Sequence, residues 1–119
     1  MVTVEINDGV LILHVHGADK VWAFKSRLEI PLQHVTGAAP AGDDERGAYH
    51  GIRSPGTNLP GVVTAGSYKK DGDWAFWDVH DLDRAIVITT AHEKFARLVV
   101  EVDDQAATVA RIREALAGR

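Results

Sequence analysis

The chain has 119 residues and no cysteine, with 45% hydrophobic and 25% charged residues, which are the proportions of a globular domain rather than a disordered segment. Its 13 Lys and Arg residues against 17 Asp and Glu residues give a formal net charge of −4, which disfavours a broad basic surface for nucleic acid or anionic lipid. We therefore expect a single domain over 1–119, without disulfides or thiolate zinc sites, that binds no nucleic acid and no membrane.

The N-terminal stretch predicts a β-hairpin. Apolar and polar residues alternate from Val2 to Ile6, which is the period of a half-buried strand. Asn7-Asp8-Gly9 then tolerates the positive φ of a tight turn, so a second strand, Val10 to His16, should return beside the first. Met1 to Gly17 carries acidic residues and no basic run, so we expect neither a targeting segment nor a membrane span there, and a cytoplasmic protein.

Short elements and then a loop are predicted in the next part of the chain. Ala18 to Lys25 fits one or two helical turns or an irregular segment, and Arg27 to Ile30 is extended. Pro31 to Val35 predicts a helical turn opened by proline, followed by a strand from Val35 to Ala39. The segment 37–61 is rich in Gly and Pro, so it predicts one long loop, and such loops tend to be functional.

Regular alternation resumes after this loop. Val62 to Lys69, the Asp71-Gly72 turn and Trp74 to His80 predict a second hairpin. Arg84 to Thr90 and Phe95 to Val102 continue as short strands. Because the strands are short and consecutive, they predict an antiparallel meander, with about seven strands in the whole chain.

The C-terminal segment has the period of an amphipathic helix. Asp103 or Asp104 can cap a helix over 104–117. Such a helix must bury its apolar face against the sheet or at an open end of it. The pattern places Val109, Ile112 and Leu116 on this apolar face, and Arg111, Arg113 and Glu114 toward solvent.

This order of strands followed by one helix resembles that of pleckstrin-homology-like (PH-like) domains. Arg53 to Gly61, Gly66-Ser67-Tyr68, Ala85 to Thr90 and the turn Ile30 to Val35 are similar to the corresponding stretches of the bacterial PH-like families. The resemblance implies a mainly β (β+α) fold, a partly open barrel of antiparallel strands with the helix at one end, and a binding or assembly module. Phosphoinositide-binding members resemble one another in an early hairpin that is rich in Lys and Arg. The corresponding turn here is Asn7-Asp8-Gly9, so inositol-phosphate recognition is not expected.

Two histidines are weak candidates for metal ligands. His14 and His16 are two apart on a predicted strand, which puts both imidazoles on one face at a spacing usable by a divalent metal. No motif singles out a third ligand, and the alternative is that both are surface or half-buried strand histidines. We therefore predict neither a metal nor a cofactor.

A second candidate site lies in the long loop. His50 and Arg53 stand among glycines whose backbone N–H groups can approach an anion, such as a small phosphate or carboxylate. The alternative is a solvent-exposed connection whose glycines and prolines only shape turns.

Aromatic residues cluster on one predicted strand. Trp74, Phe76 and Trp77 cannot all face one side, so at least one large ring should lie outside the core. Trp74 and Trp77 are therefore candidate anchors for a protein partner or a second copy. The alternative is that they form a lid of the core under the helix or the long loop.

No catalytic signature accompanies these candidates. The serines lack a nucleophile-elbow context and no phosphate-binding loop motif is present. Our first hypothesis is a non-enzymatic PH-like module that binds a protein partner or self-associates as a homo-oligomer. The alternative is a small-anion or metal-binding protein with its site at the 37–61 loop and His14/His16, with or without a minor enzymatic activity.

Overall fold

The computed structural model describes residues 2–16, 27–42, 64–70, 73–79 and 81–118, with 64–70 described by their backbone. The segment predicted over Ala18 to Lys25 lies outside these ranges. Two 3₁₀ turns, Leu32–His34 and Leu82–Arg84, each precede a strand. The strands and the helix described are β1 (Val2–Asn7), β2 (Val10–Val15), β3 (Arg27–Pro31), β4 (Val35–Pro40), β5 (Thr64–Lys70), β6 (Asp73–Val79), β7 (Ala85–Thr90), β8 (Phe95–Glu101) and α1 (Gln105–Ala117).

The N-terminal hairpin forms as the sequence predicts. β1 and β2 pair antiparallel, with Val2 opposite Val15. Asp8 and Gly9 between them have φ values of 51° and 76°, and positive φ at both central residues is the signature of a type I′ turn. β3 pairs with the other side of β2, which gives a three-stranded sheet in the order β1-β2-β3.

The larger sheet has a different strand order from the predicted meander. Its order is β4-β7-β8-β6-β5. β6 and β8 are parallel, whereas its other neighbouring strands are antiparallel. The chain leaves β6 through the second 3₁₀ turn, passes to β7, and returns as β8 into the space between them. The all-antiparallel prediction is therefore wrong at this pair, because alternation defines the two faces of a strand but does not specify its neighbours.

The central strands of the larger sheet, β6 to β8, bury apolar side chains on both faces. On β7, Ile86 and Ile88 point into the main core, while Ala85 and Val87 point to the opposite side, as the period of two predicts. Strands buried on both faces have continuous apolar runs rather than alternation with polar residues. The second apolar cluster, on the side away from the main core, comprises Trp77, Val79, Leu82, Ala85, Val87 and Val99.

The two sheets are not closed into a barrel, and β4 is longer than predicted. It runs through Pro40, just beyond the predicted strand Val35 to Ala39, and this strand rather than the overlapping 37–61 loop describes residues 37–40, which pair with β7. Gly and Pro misled the prediction because an edge strand tolerates both residues. Residues 43–61 of that loop lie outside the described part of the chain.

The C-terminal helix packs its apolar face into the main core. Asp104 caps α1 by accepting a hydrogen bond from the backbone N–H of Ala107 at 3.0 Å. Val109 and Ile112 are buried, and Leu116 packs against them partly buried, which confirms the predicted face. No helix in the described ranges is long and apolar enough to cross a membrane.

Two arginines of α1 reach the edge strands of both sheets. Arg111 Nη2 donates to the carbonyl of Val4 on β1 at 3.3 Å, and Arg113 Nε donates to the carbonyl of Ala38 on β4 at 2.9 Å. The prediction that both arginines face solvent is thus incomplete, since each residue is exposed but its guanidinium is bound to backbone. The helix therefore covers the opening between the sheets and satisfies carbonyls on the edges that border it.

Replacing Gly9 by Ala should lower the free energy of unfolding by about 1 kcal/mol, because a φ of 76° is strained for a residue with a Cβ. A Cβ there meets nothing within 4 Å, so the cost is backbone strain alone. Gly118→Ala is the matched control, since its φ is −89° and its Cβ would make an ordinary contact with Glu114 O at 3.6 Å. Urea unfolding measures both, and equal losses at the two glycines would contradict the turn assignment.

Arg111→Ala and Arg113→Ala should each lower the free energy of unfolding by about 1 kcal/mol, because each removes a partly buried hydrogen bond from a charged donor. Glu114→Ala, on the exposed surface of the same helix, should have almost no effect. The double arginine variant should also aggregate more than the wild type, since it leaves carbonyls of β1 and β4 without their donors. Urea unfolding and light scattering test this; a double variant that matches the wild type in both would show that the arginines do not protect the edges.

Candidate functional site

Polar side chains gather at the end of the larger sheet where β7 turns into β8. The turn, residues 91–94, carries His92, Glu93 and Lys94. His92 has a φ of 64°, which is uncommon for a residue with a Cβ. The backbone N–H of Ala91 donates to the carbonyl of His34 at 2.8 Å. The first 3₁₀ turn therefore lies directly beside the β7–β8 turn.

Two imidazoles and a carboxylate meet at this point. His34 Nδ1 and Glu93 Oε2 are 2.5 Å apart, and the ring centroids of His34 and His92 are 5.9 Å apart with their planes at 62°. The side chains of His34 and Glu93 are 35% and 25% exposed, so their hydrogen bond is half-buried. Because the carboxylate occupies Nδ1, His34 retains Nε2 for another partner. We call His34, His92 and Glu93 the histidine cluster.

Sequence reasoning missed the histidine cluster. His34 and Glu93 are 59 residues apart and form no short motif. Their approach depends on the pairing of β4 with β7, which places Val35 opposite Thr90. The sequence offered only a weaker signal than a motif would. His34 lies at the end of a predicted turn, and His92 and Glu93 are adjacent between two predicted strands.

Trp74 lies beside the same turn, at the start of β6. It is in register with Phe95 of β8 and is 41% exposed, whereas the other large hydrophobic residues in the described ranges are not in the exposed class. The Phe95 ring packs against Phe76 with centroids 5.7 Å apart, and Lys94 Nζ lies 5.5 Å from the Phe95 centroid. The strand register thus places Trp74 next to a pair of packed phenylalanines, and Lys94 directly precedes one of them.

The other predicted anchor, Trp77, is not at the surface. It is 3% exposed and belongs to the second apolar cluster. Trp74 and Trp77 stand at odd spacing on one strand, so they face opposite sides of the sheet. The predicted exposure of at least one ring is therefore confirmed for Trp74, whereas Trp77 presents no ring surface to a partner in this structure.

The predicted metal candidates, His14 and His16, lie on the outer face of the smaller sheet. His14 Nε2 is 2.8 Å from Glu5 Oε1 and His16 Nε2 is 2.6 Å from Thr3 Oγ1. Each ring thus pairs with a different residue of β1, as expected for strand histidines at the surface. Within the described ranges, no group of three or more His, Asp or Glu side chains is placed to hold a metal ion.

His50 and Arg53, the candidates for anion binding, lie outside the described residues. The structure therefore neither brings them together nor separates them. Small-anion binding by the 37–61 loop stays a prediction.

An open depression of about 340 Å³ lies along β4 and β7. Arg97 is the charged residue that borders it, and Thr89 contributes a hydroxyl that accepts a hydrogen bond from Thr36 Oγ1 at 2.9 Å. Small-molecule sites are concave and enclose most of the ligand's surface, whereas this depression is open to solvent. The remaining lining residues are Gly37, Ala38, Ala39, Pro40 and Val87.

Two carboxylates in the described part of the chain are buried, Asp78 at 0% and Glu101 at 4% exposure. Glu101 accepts a hydrogen bond from the backbone N–H of Asp81 at 3.3 Å and lies 3.6 Å from Arg84 Nη1. Asp78 shares the core-facing side of β6 with Phe76. Neither carboxylate is open to solvent, so neither offers a group to a ligand at the surface.

Comparison with known proteins finds no relative of this chain. The chain matches no family model, no curated protein and no solved structure. Its function therefore has to be inferred from the side chains of the site themselves.

The His34–Glu93 pair should couple more strongly than the His14–Glu5 pair. A double-mutant cycle with His34→Ala and Glu93→Ala should give a coupling energy of about 1 kcal/mol, because this pair is half-buried and joins distant segments. The cycle at His14 and Glu5, whose carboxylate is 48% exposed, should give less than about 0.5 kcal/mol. Denaturant unfolding at neutral pH provides the stabilities of the seven proteins that the two cycles require. A larger coupling energy for His14 and Glu5 than for His34 and Glu93 would contradict this prediction.

Proposed function

We propose that this protein is a non-enzymatic binding and assembly module that associates with a second copy of itself at the surface formed by Asp73, Trp74 and Lys94. The exposure of Trp74, at 41%, carries the proposal. Single exposed apolar residues are common on monomers, but Trp74 is in register with Phe95, whose ring is packed in the core. A large exposed aromatic side chain carried by a paired strand is the kind of residue that anchors an interface.

Charge complementarity favours a second copy as the partner. Asp73 is exposed next to Trp74, and Lys94 is exposed on the neighbouring turn. A two-fold contact presents the same patch on both subunits. With Trp74 packed on its counterpart, the lysine of each copy can face the aspartate of the other, so the patch is complementary to itself.

The PH-like assignment is part of this proposal. The two sheets followed by a C-terminal helix that packs between their edges support it, and the parallel β6–β8 pair departs from the antiparallel strands expected of it. The absence of catalytic motifs from the sequence supports a non-enzymatic role. The alternative of a small-anion protein that uses His50 and Arg53 rests on residues outside the described ranges.

Sedimentation velocity over micromolar to submillimolar concentrations tests self-association. The wild-type chain should show a concentration-dependent dimer, and Trp74→Ala should raise the dissociation constant at least about tenfold, which corresponds to about 1.4 kcal/mol. Glu114→Ala, an exposed change on α1, is the control and should leave the constant unchanged. A wild-type chain that stays monomeric over the whole range would refute the proposal.

Charge reversal sharpens the same experiment. Asp73→Lys and Lys94→Asp should each weaken the dimer, because each places like charges opposite one another. The two variants mixed in equal amounts should form a heterodimer more readily than either forms a homodimer. If the mixture does not restore dimerisation, Asp73 of one copy does not face Lys94 of the other.

A further inference from the structure

The histidine cluster brings two imidazoles together from separate parts of the chain. His34 belongs to the 3₁₀ turn before β4, and His92 belongs to the turn after β7. Their ring centroids are 5.9 Å apart. Two imidazoles bound to one metal at Zn–N distances of about 2.0–2.1 Å have their ring centres roughly 5 to 6 Å apart. The observed centroid spacing lies in that range, and the two rings meet edge to face, so binding one ion requires a nitrogen of each ring to turn toward a common point.

The carboxylate in the cluster has the position of an outer-shell group. Histidines that bind a metal through one nitrogen commonly hydrogen-bond a carboxylate through the other, which orients the ring and raises its basicity. Glu93 Oε2 lies 2.5 Å from Nδ1 of His34, so Nε2 is the nitrogen left for a metal. Glu93 is thereby paired with His34, and the described residues contain no group of three side chains placed to hold a metal ion, so the two imidazoles are the protein ligands that this cluster offers.

The backbone at His92 is a second observation that this arrangement explains. A φ of 64° is adopted at lower cost by Gly. Strained residues of this kind are enriched at binding and catalytic sites. The left-handed conformation at His92 places its ring against that of His34, whereas a glycine would relax the turn and remove one of the two imidazoles.

We propose that the histidine cluster is an open transition-metal site, in which His34 Nε2 and one ring nitrogen of His92 bind the ion, Glu93 orients His34, and water fills the other positions. Imidazole ligands favour Zn²⁺, Ni²⁺ and Cu²⁺ over Mg²⁺ and Ca²⁺. With two protein ligands the site binds more weakly than a closed structural zinc site. Copper(II) should bind most tightly of the three, following the general order of divalent-metal affinities.

Calorimetric titration of the full, tag-free chain with Zn²⁺, Ni²⁺ or Cu²⁺ alone tests the site. His34→Ala and His92→Ala should each weaken binding at least about tenfold, and Glu93→Gln should weaken it by about tenfold through loss of the outer-shell carboxylate. The double variant His14→Ala/His16→Ala removes the other described surface histidines and should bind as the wild type does. Ring-proton NMR signals of His34 and His92 should shift or broaden at the first equivalent of metal.

His92→Gly separates metal binding from folding. Glycine accepts a φ of 64°, so this variant should fold at least as stably as His92→Ala while still losing metal affinity. A wild-type chain that binds none of the three ions at millimolar concentration overturns the proposal. Binding that is unaffected by substitution of both His34 and His92 also overturns it.

Discussion

Burial of the central strands of the larger sheet on both faces is the constraint on which the rest of the structure depends. β7 and β8 carry apolar side chains on both sides, so each face requires a covering layer. The three-stranded sheet and α1 supply that layer on the side of Ile86 and Ile88. Polar side chains are excluded from the middle of such strands, with costly exceptions such as Asp78. They therefore collect where the strands end, and both candidate surfaces lie at one of these ends.

The C-terminal helix covers two strand edges, those of β1 and β4, that could otherwise pair with another chain. Open two-sheet folds expose strand edges that can pair with other chains. Arg111 and Arg113 bind carbonyls of β1 and β4 while Ile112 between them is buried, so one turn of helix covers two edges at once. Strand addition at β1 or β4 would have to displace these arginines. An end-on contact through Trp74 leaves them in place, so the proposed interface is compatible with the helix as it packs here.

The sequence predicted the features that depend on neighbouring residues. The Asp8-Gly9 turn, the proline-led turn at Leu32 and the cap at Asp104 all follow from local chemistry, and the structure contains each of them. Features that depend on distant pairing were not predictable. Insertion of β8 between β6 and β7 leaves no periodic signal, because a strand buried on both faces has the same pattern beside any neighbour. For the same reason, the pattern indicated that at least one large ring lies outside the core but not that it is the ring of Trp74.

The β7–β8 turn contributes residues to both the histidine cluster and the proposed dimer surface, and the two sets of residues do not overlap. His92 and Glu93 face His34 across the crossover between the sheets, and Lys94 follows them toward Phe95 and Trp74. A divalent ion held by the two histidines would add positive charge close to Lys94, in a chain whose net charge is −4. Any effect of the metal on association would be matched by an equal effect of association on metal affinity, since coupling between two binding events is reciprocal. Trp74 does not belong to the histidine cluster, and His92 does not belong to the surface formed by Asp73, Trp74 and Lys94. A variant that loses only dimerisation has therefore changed the Trp74 surface, and one that loses only metal binding has changed the histidine cluster.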